Sequence, residues 1–87
     1  MIERVKQALR ISHNKLDAEI TGCIEYAEAE MKRLGVSESA VDAGNPLISE
    51  AVLIYCLSRL ATDETDKARY EELWEKHVQN LRYSYAE

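Results

Sequence analysis

The sequence predicts an all-α protein, a compact bundle of about four helices, and three observations carry that prediction. Apolar residues recur at steps of three and four over most of the chain. Three Gly and one Pro in 87 residues leave few places for turns, which favours long helices. The punctuation that is present, Gly35 and Asn45-Pro46, stands where a periodic stretch stops and where the next begins. A chain of 87 residues has room for one domain, spanning 1–87. Its 46% hydrophobic and 31% charged residues make a globular balance rather than a disordered one.

The first helix is placed at 2–10, where Ile2, Val5 and Leu9 repeat at helical spacing. Ser12–Lys15 is a polar break, with Asn14 as a candidate cap and Asp17 in the next first turn, where negative charge suits the helix dipole. The second helix, 15–34, puts Leu16, Ile20, Cys23, Ile24, Ala27, Met31 and Leu34 on one stripe. Glu28 and Lys32 form an i,i+4 pair on another face. Gly35 ends that helix, and Val36–Asn45 is read as a linker with room for one helical turn after Ser37.

Asn45-Pro46 is a start signal, a capping residue followed by proline at the first helical position. The third helix, 46–61, carries seven consecutive apolar residues, Ala51–Leu57. At about 100° per residue these cover every side, so this helix is expected at the centre, wrapped by its neighbours. A buried strand could give the same run, but the length and the flanking residues favour helix. The fourth helix, 64–83, aligns Tyr70, Leu73, Trp74, His77, Val78 and Leu81, with Asp63–Lys67 and Glu72–Lys76 as local ion pairs. The last residues, 83–87, are expected to fray.

The formal charge of −5 is unevenly placed. Residues 1–34 carry six acids and six bases, whereas 63–87 carry seven acids against four bases. No basic stripe exists to neutralise phosphates, which argues against direct nucleic-acid binding. Cys23 and Cys56 both lie among apolar residues and are read as reduced core thiols. The opening Met1–Gln7 is charged where a signal peptide would be apolar. The longest apolar run is far short of the roughly 20 residues a membrane span needs. The expectation is a soluble, intracellular protein.

A search for chemistry returns negatives. His13 and His77 have no second ligand at helical spacing, so no metal is expected. Ser12-His13-Asn14-Lys15 matches a Ser-x-x-Lys string, but its companion motifs are missing and the segment reads better as a loop. No glycine-rich phosphate loop occurs, so no cofactor is expected. Carboxylate pairs such as Glu71 and Glu75 fall on solvent faces, without the pocket that would shift a pKa. His77 is read as a satisfied core or interface histidine. The chain is expected not to be an enzyme.

One surface is unusual. Opposite its core stripe the second helix shows Ala18, Gly22, Tyr26 and Ala29 at steps of four, four and three. A mid-helix glycine costs about 0.5–1 kcal/mol relative to alanine. Either another helix packs there, from a neighbouring subunit for example, or the small residues carry no such role. Tyr83 and Tyr85 near the end are aromatics suited to docking into a partner, or are incidental.

Four stretches carry a resemblance. Val5-Lys6-Gln7-Ala8-Leu9-Arg10-Ile11 resembles the opening VKxxLRI of phage head–tail connector proteins, often labelled DNA-packaging proteins. Leu16-Asp17-x-Glu19-Ile20 with Cys23-Ile24-Glu25-Tyr26-Ala27 is similar to their second helix, and Asn45-Pro46-Leu47-Ile48 leading into Ala51-Val52 to their next helix start. Tyr70-Glu71-x-Leu73 resembles their closing Y-E-x-L. Some members carry a Tyr-x-x-Arg string where this chain has Tyr55 and Arg59, one position further apart, so no role is transferred there.

The resemblance implies a structural protein of the virion, made in the host bacterial cytoplasm. Its copies would form a ring of about a dozen between the portal and the tail-completion protein. That ring would complete the channel through which DNA passes without specific binding. The family offers no catalytic residues to carry over. The acidic balance fits independently, since a phosphate-repelling wall lets DNA slide. Two other readings stay open: a small helical DNA-binding regulator, which should show a basic recognition helix, and an acidic host-directed regulator.

Overall fold

The computed structural model describes residues 1–85. The periodic stretches fold as helices α1 (Ile2–Leu9), α2 (Asp17–Arg33), α4 (Pro46–Leu60) and α5 (Glu64–Ser84), with a short α3 (Glu38–Ala43) between the second and third of these. There are thus five helices where about four were expected, and no strand among the described residues. The addition is α3, which falls in the expected linker. Two valines explain it: Val36 and Val41 are fully or almost fully buried, so the segment has an apolar anchor of its own. Gly44, at φ 62, closes the turn in the left-handed conformation that suits glycine.

The helix stripes are buried as their spacing requires. Val5 from α1, Ile20, Ala27 and Met31 from α2, and Val78 and Leu81 from α5 join one core cluster. Of the apolar run in α4, every residue but Leu53 is buried, and α4 packs against α1, α2 and α5. The result measures 38 × 25 × 19 Å.

The helix ends show which sequence signals operate. Asn45 Oδ1 accepts from the Ile48 amide at 3.0 Å, with Pro46 in the first turn, as expected. At the end of α2, Gly35 takes φ 103. Val36 N donates to Met31 O and Gly35 N to Lys32 O, so two carbonyls left over by the helix are satisfied. The same pair of bonds ends α1, from Ile11 N to Lys6 O and Arg10 N to Gln7 O. There the left-handed position is occupied by Arg10, at φ 58, at a cost on the order of 1 kcal/mol relative to glycine.

Three local expectations are corrected. Asn14 does not cap α2: its Oδ1 accepts from Lys6 Nζ at 2.9 Å, and the start of α2 has no side-chain cap. Lys6 is 7% exposed, and its ammonium lies between Asn14 and Asp17, whose shielded Oδ1 is 3.2 Å away. A buried ammonium left bare costs more than a helix amide left to water, so it takes the partner. Lys32 pairs with Asp42 at 2.9 Å rather than with Glu28, because α3 brings that carboxylate across. Asp63 accepts from the amides of Thr65 and Asp66 as the cap of α5 instead of pairing with Lys67. The Glu72–Lys76 pair forms, at 3.6 Å.

Candidate functional site

Helical spacing puts Tyr55 and Arg59 one turn apart on α4. Arg59 Nε donates to the Tyr55 hydroxyl at 2.9 Å. On one side of Tyr55 the Tyr26 ring of α2 stacks at a centroid distance of 5.6 Å; on the other the Trp74 indole of α5 meets it edge-on at 5.0 Å. The guanidinium carbon lies 5.3 Å from the Tyr55 ring centroid and 6.0 Å from that of Tyr26. Three helices are therefore joined by one aromatic row with a cation above it. Burial raises the Tyr55 pKa above its ordinary value, opposed by the Arg59 hydrogen bond.

Two open clefts flank this row. One, of about 490 Å³, is lined by Glu19, Gly22, Cys23, Tyr26, Tyr55, Arg59 and Leu60. The other, of about 250 Å³, shares Tyr26, Tyr55 and Arg59 and adds Glu30, Ser58, Glu71, Trp74 and Glu75. The second cleft is acidic, with three carboxylates against one guanidinium. Arg33 holds the Glu30 carboxyl below the usual carboxylate range through a two-pronged contact, so that charge persists.

The small-residue face of α2 is open. Ala18, Gly22, Tyr26 and Ala29 are all exposed, and a Cβ built on Gly22 would meet no atom within 4 Å. Among the described residues no helix covers it. Tyr26 is 53% exposed despite its stacking, and Tyr83 is 93% exposed on the last turn of α5. Tyr85, expected in a frayed tail, is instead partly buried against the core, and its carbonyl accepts from the Ser37 amide at 2.6 Å. Residues 86 and 87 of the expected frayed end lie outside the described residues.

The residues considered for chemistry are occupied by structure. His77 Nδ1 is 2.9 Å from the Leu73 carbonyl, to which it donates. His13 Nδ1 accepts from the Lys15 amide in the loop after α1. Both cysteines are free thiols; Cys56 is fully buried and its pKa is pushed up to about 12. Among the described residues no group of three or more His, Cys, Asp or Glu side chains could hold a metal ion. No helix among the described residues is long and apolar enough to cross a membrane.

The sequence reading missed the Tyr26–Tyr55–Trp74 row. The i,i+4 spacing of Tyr55 and Arg59 was the available signal, but nothing local says that Tyr26 and Trp74 flank them.

These features define a small helical protein with an exposed small-residue face on α2 and an aromatic row joining three helices. Over residues 1–87 the chain matches the family model described as phage connector protein, and it belongs to that family, the phage head–tail connectors. No curated protein and no solved structure matches it.

Proposed function

We propose that this chain is the structural head–tail connector, or head-completion adaptor, of a tailed phage or prophage. Its copies form a ring of about a dozen between the portal and the tail-completion protein. The match over residues 1–87 is the observation that carries this reading. In it, α4 serves as the central strut of each subunit, and the open face of Ala18, Gly22, Tyr26 and Ala29, with Tyr83, provides surface for neighbours. Tyr85 contributes by holding the end of α5 against Ser37. DNA leaves through the ring without specific binding.

Acidic side chains from residues 38–50 or 63–75 face the channel and repel phosphates. Support comes from the start of α5, where Glu64 is exposed with no ion pair among the described residues. Asp42 and Glu50, by contrast, are matched to Lys32 and Arg4.

Native mass spectrometry over a range of concentrations, with and without portal protein, tests the assembly. The expected species is a closed oligomer many times the 9.9 kDa chain mass. Gly22→Leu should keep the monomer fold, because the site is open within the chain, and lower self-association at least tenfold, about 1.4 kcal/mol. Unchanged association in that variant rejects packing at the small-residue face; a monomer under every condition rejects the ring.

A further inference from the structure

Residues 4–16 contain no carboxylate and hold four of the eleven bases. The fold matches two of these, Arg4 to Glu50 and Lys6 to Asp17. Arg10 and Lys15, in the loop between α1 and α2, are exposed and have no ion-pair partner among the described residues. Arg10 also stands where glycine is favoured. Gly35 and Gly44 take positive φ after α2 and α3, whereas Arg10 does so after α1. An L side chain there costs on the order of 1 kcal/mol, and no hydrogen bond or ion pair of that side chain among the described residues offsets it. Such strain gathers where a side chain serves something beyond the fold.

The acidic cleft holds the opposite imbalance. Arg33 neutralises Glu30 and Arg59 is committed to Tyr55, but Glu71 and Glu75 have no ion-pair partner among the described residues. They stand one turn apart on α5, where like charges repel. Neither Lys15 with Glu19 nor Lys67 with Glu71 closes the local pair that one-turn spacing allows. Loop and cleft lie on opposite sides of α4. Glu50, which meets α1 through Arg4, and Arg59, which lines the cleft, are nine residues apart, about 180° around the helix.

From these features we infer that the α1–α2 loop of one copy seats at the acidic cleft of the next, with Arg10 and Lys15 against Glu71 and Glu75. The inference rests on the ring reading and names the contact that would build it. Charge selects the occupant. The chain carries −5, so copies repel at long range and are held where cations of one meet unmatched carboxylates of another. The loop brings two unmatched cations together, whereas Arg82 stands alone near Gly35. Because donor and acceptor surfaces differ and face opposite ways, the contact is head-to-tail. Such a contact propagates from copy to copy and closes when the rotation permits, whereas a self-matching patch would stop at a dimer. Committing Glu71 and Glu75 to this contact leaves residues 38–50 and the first turn of α5 for the channel.

The test is a charge swap read by native mass spectrometry, at high concentration and again with portal protein. One variant carries Arg10→Glu with Lys15→Glu, the other Glu71→Lys with Glu75→Lys; all four sites are exposed, so the fold should be kept. Each variant alone should self-associate more weakly, by about tenfold or more. An equal mixture of the two should recover association, since every loop then meets a cleft of opposite charge. The second variant has a smaller net charge than the parent's −5, so its weaker association could not come from overall repulsion. Association unchanged in either variant, or a mixture that does not recover it, would overturn this contact and leave the ring reading standing. Loss of binding to a DNA duplex in the loop variant, with association unchanged, would make the loop a phosphate contact and overturn the inference as well. A parent chain that is monomeric under every condition would remove the ring reading along with it.

Discussion

Tyr55→Ala is expected to remove about 3–5 kcal/mol of stability, the range for deleting a large buried aromatic side chain. A domain of this size has on the order of 4–13 kcal/mol in total, so the variant should be marginal or unfolded. The cost is high because Tyr55 is 6% exposed and holds α2 and α5 to α4 through Tyr26 and Trp74. Tyr55→Phe keeps the ring and removes only the hydroxyl bonded to Arg59. That variant should lose about 0.5–1.5 kcal/mol. Thermal denaturation separates the two, at roughly 4–8 °C per kcal/mol. Equal losses would mean that the hydroxyl and its bond to Arg59, not the packed ring, account for the cost.

A second large effect is expected in alkali. The Cys56 thiol is pushed from its ordinary 9.0 up to about 12 by burial, so the fold favours the neutral form. Below about pH 9 the thiol is protonated in both folded and unfolded chains, and its contribution is fully present. Above pH 9 only the unfolded chain ionises, and stability falls until the folded thiol titrates near 12. The slope approaches 1.4 kcal/mol per pH unit, roughly, for one such group. Tyr55 and Cys23 are raised by burial as well and act with the same sign. The melting midpoint should therefore hold to about pH 9 and then drop, and Cys56→Ala should make the drop shallower. An unchanged alkaline limb in that variant would show that the thiol is not the group responsible.

What was legible in the sequence follows from range. The stripes of α2 and α5 needed only periodicity, and the start of α4 needed only Asn45-Pro46, so both were read correctly. The short α3 was hidden because six residues give little periodic signal, and its burial comes from two valines rather than a stripe. Nothing local marks Lys6 as buried, since it sits beside Glu3 and Arg4; only the returning loop, with Asn14 and Asp17, encloses it. Lys32 had a local partner in Glu28 and found Asp42 in three dimensions. The candidate surface divides the same way. Gly22 and Tyr26 on α2 and Tyr83 on α5 were singled out from the pattern of a single helix, and all three are exposed. The cleft beside Tyr26 was invisible, because it is made by three helices at once.

The proposed connector role puts this chain at the junction between portal and tail. Electron cryo-microscopy of the tailed particles that encode it tests that position most directly. The account predicts a ring of helical density, matching this five-helix fold, seated between portal and tail with carboxylates toward the lumen. Particles whose portal–tail junction is filled by other chains, or a ring of this fold with a basic lumen, would contradict it.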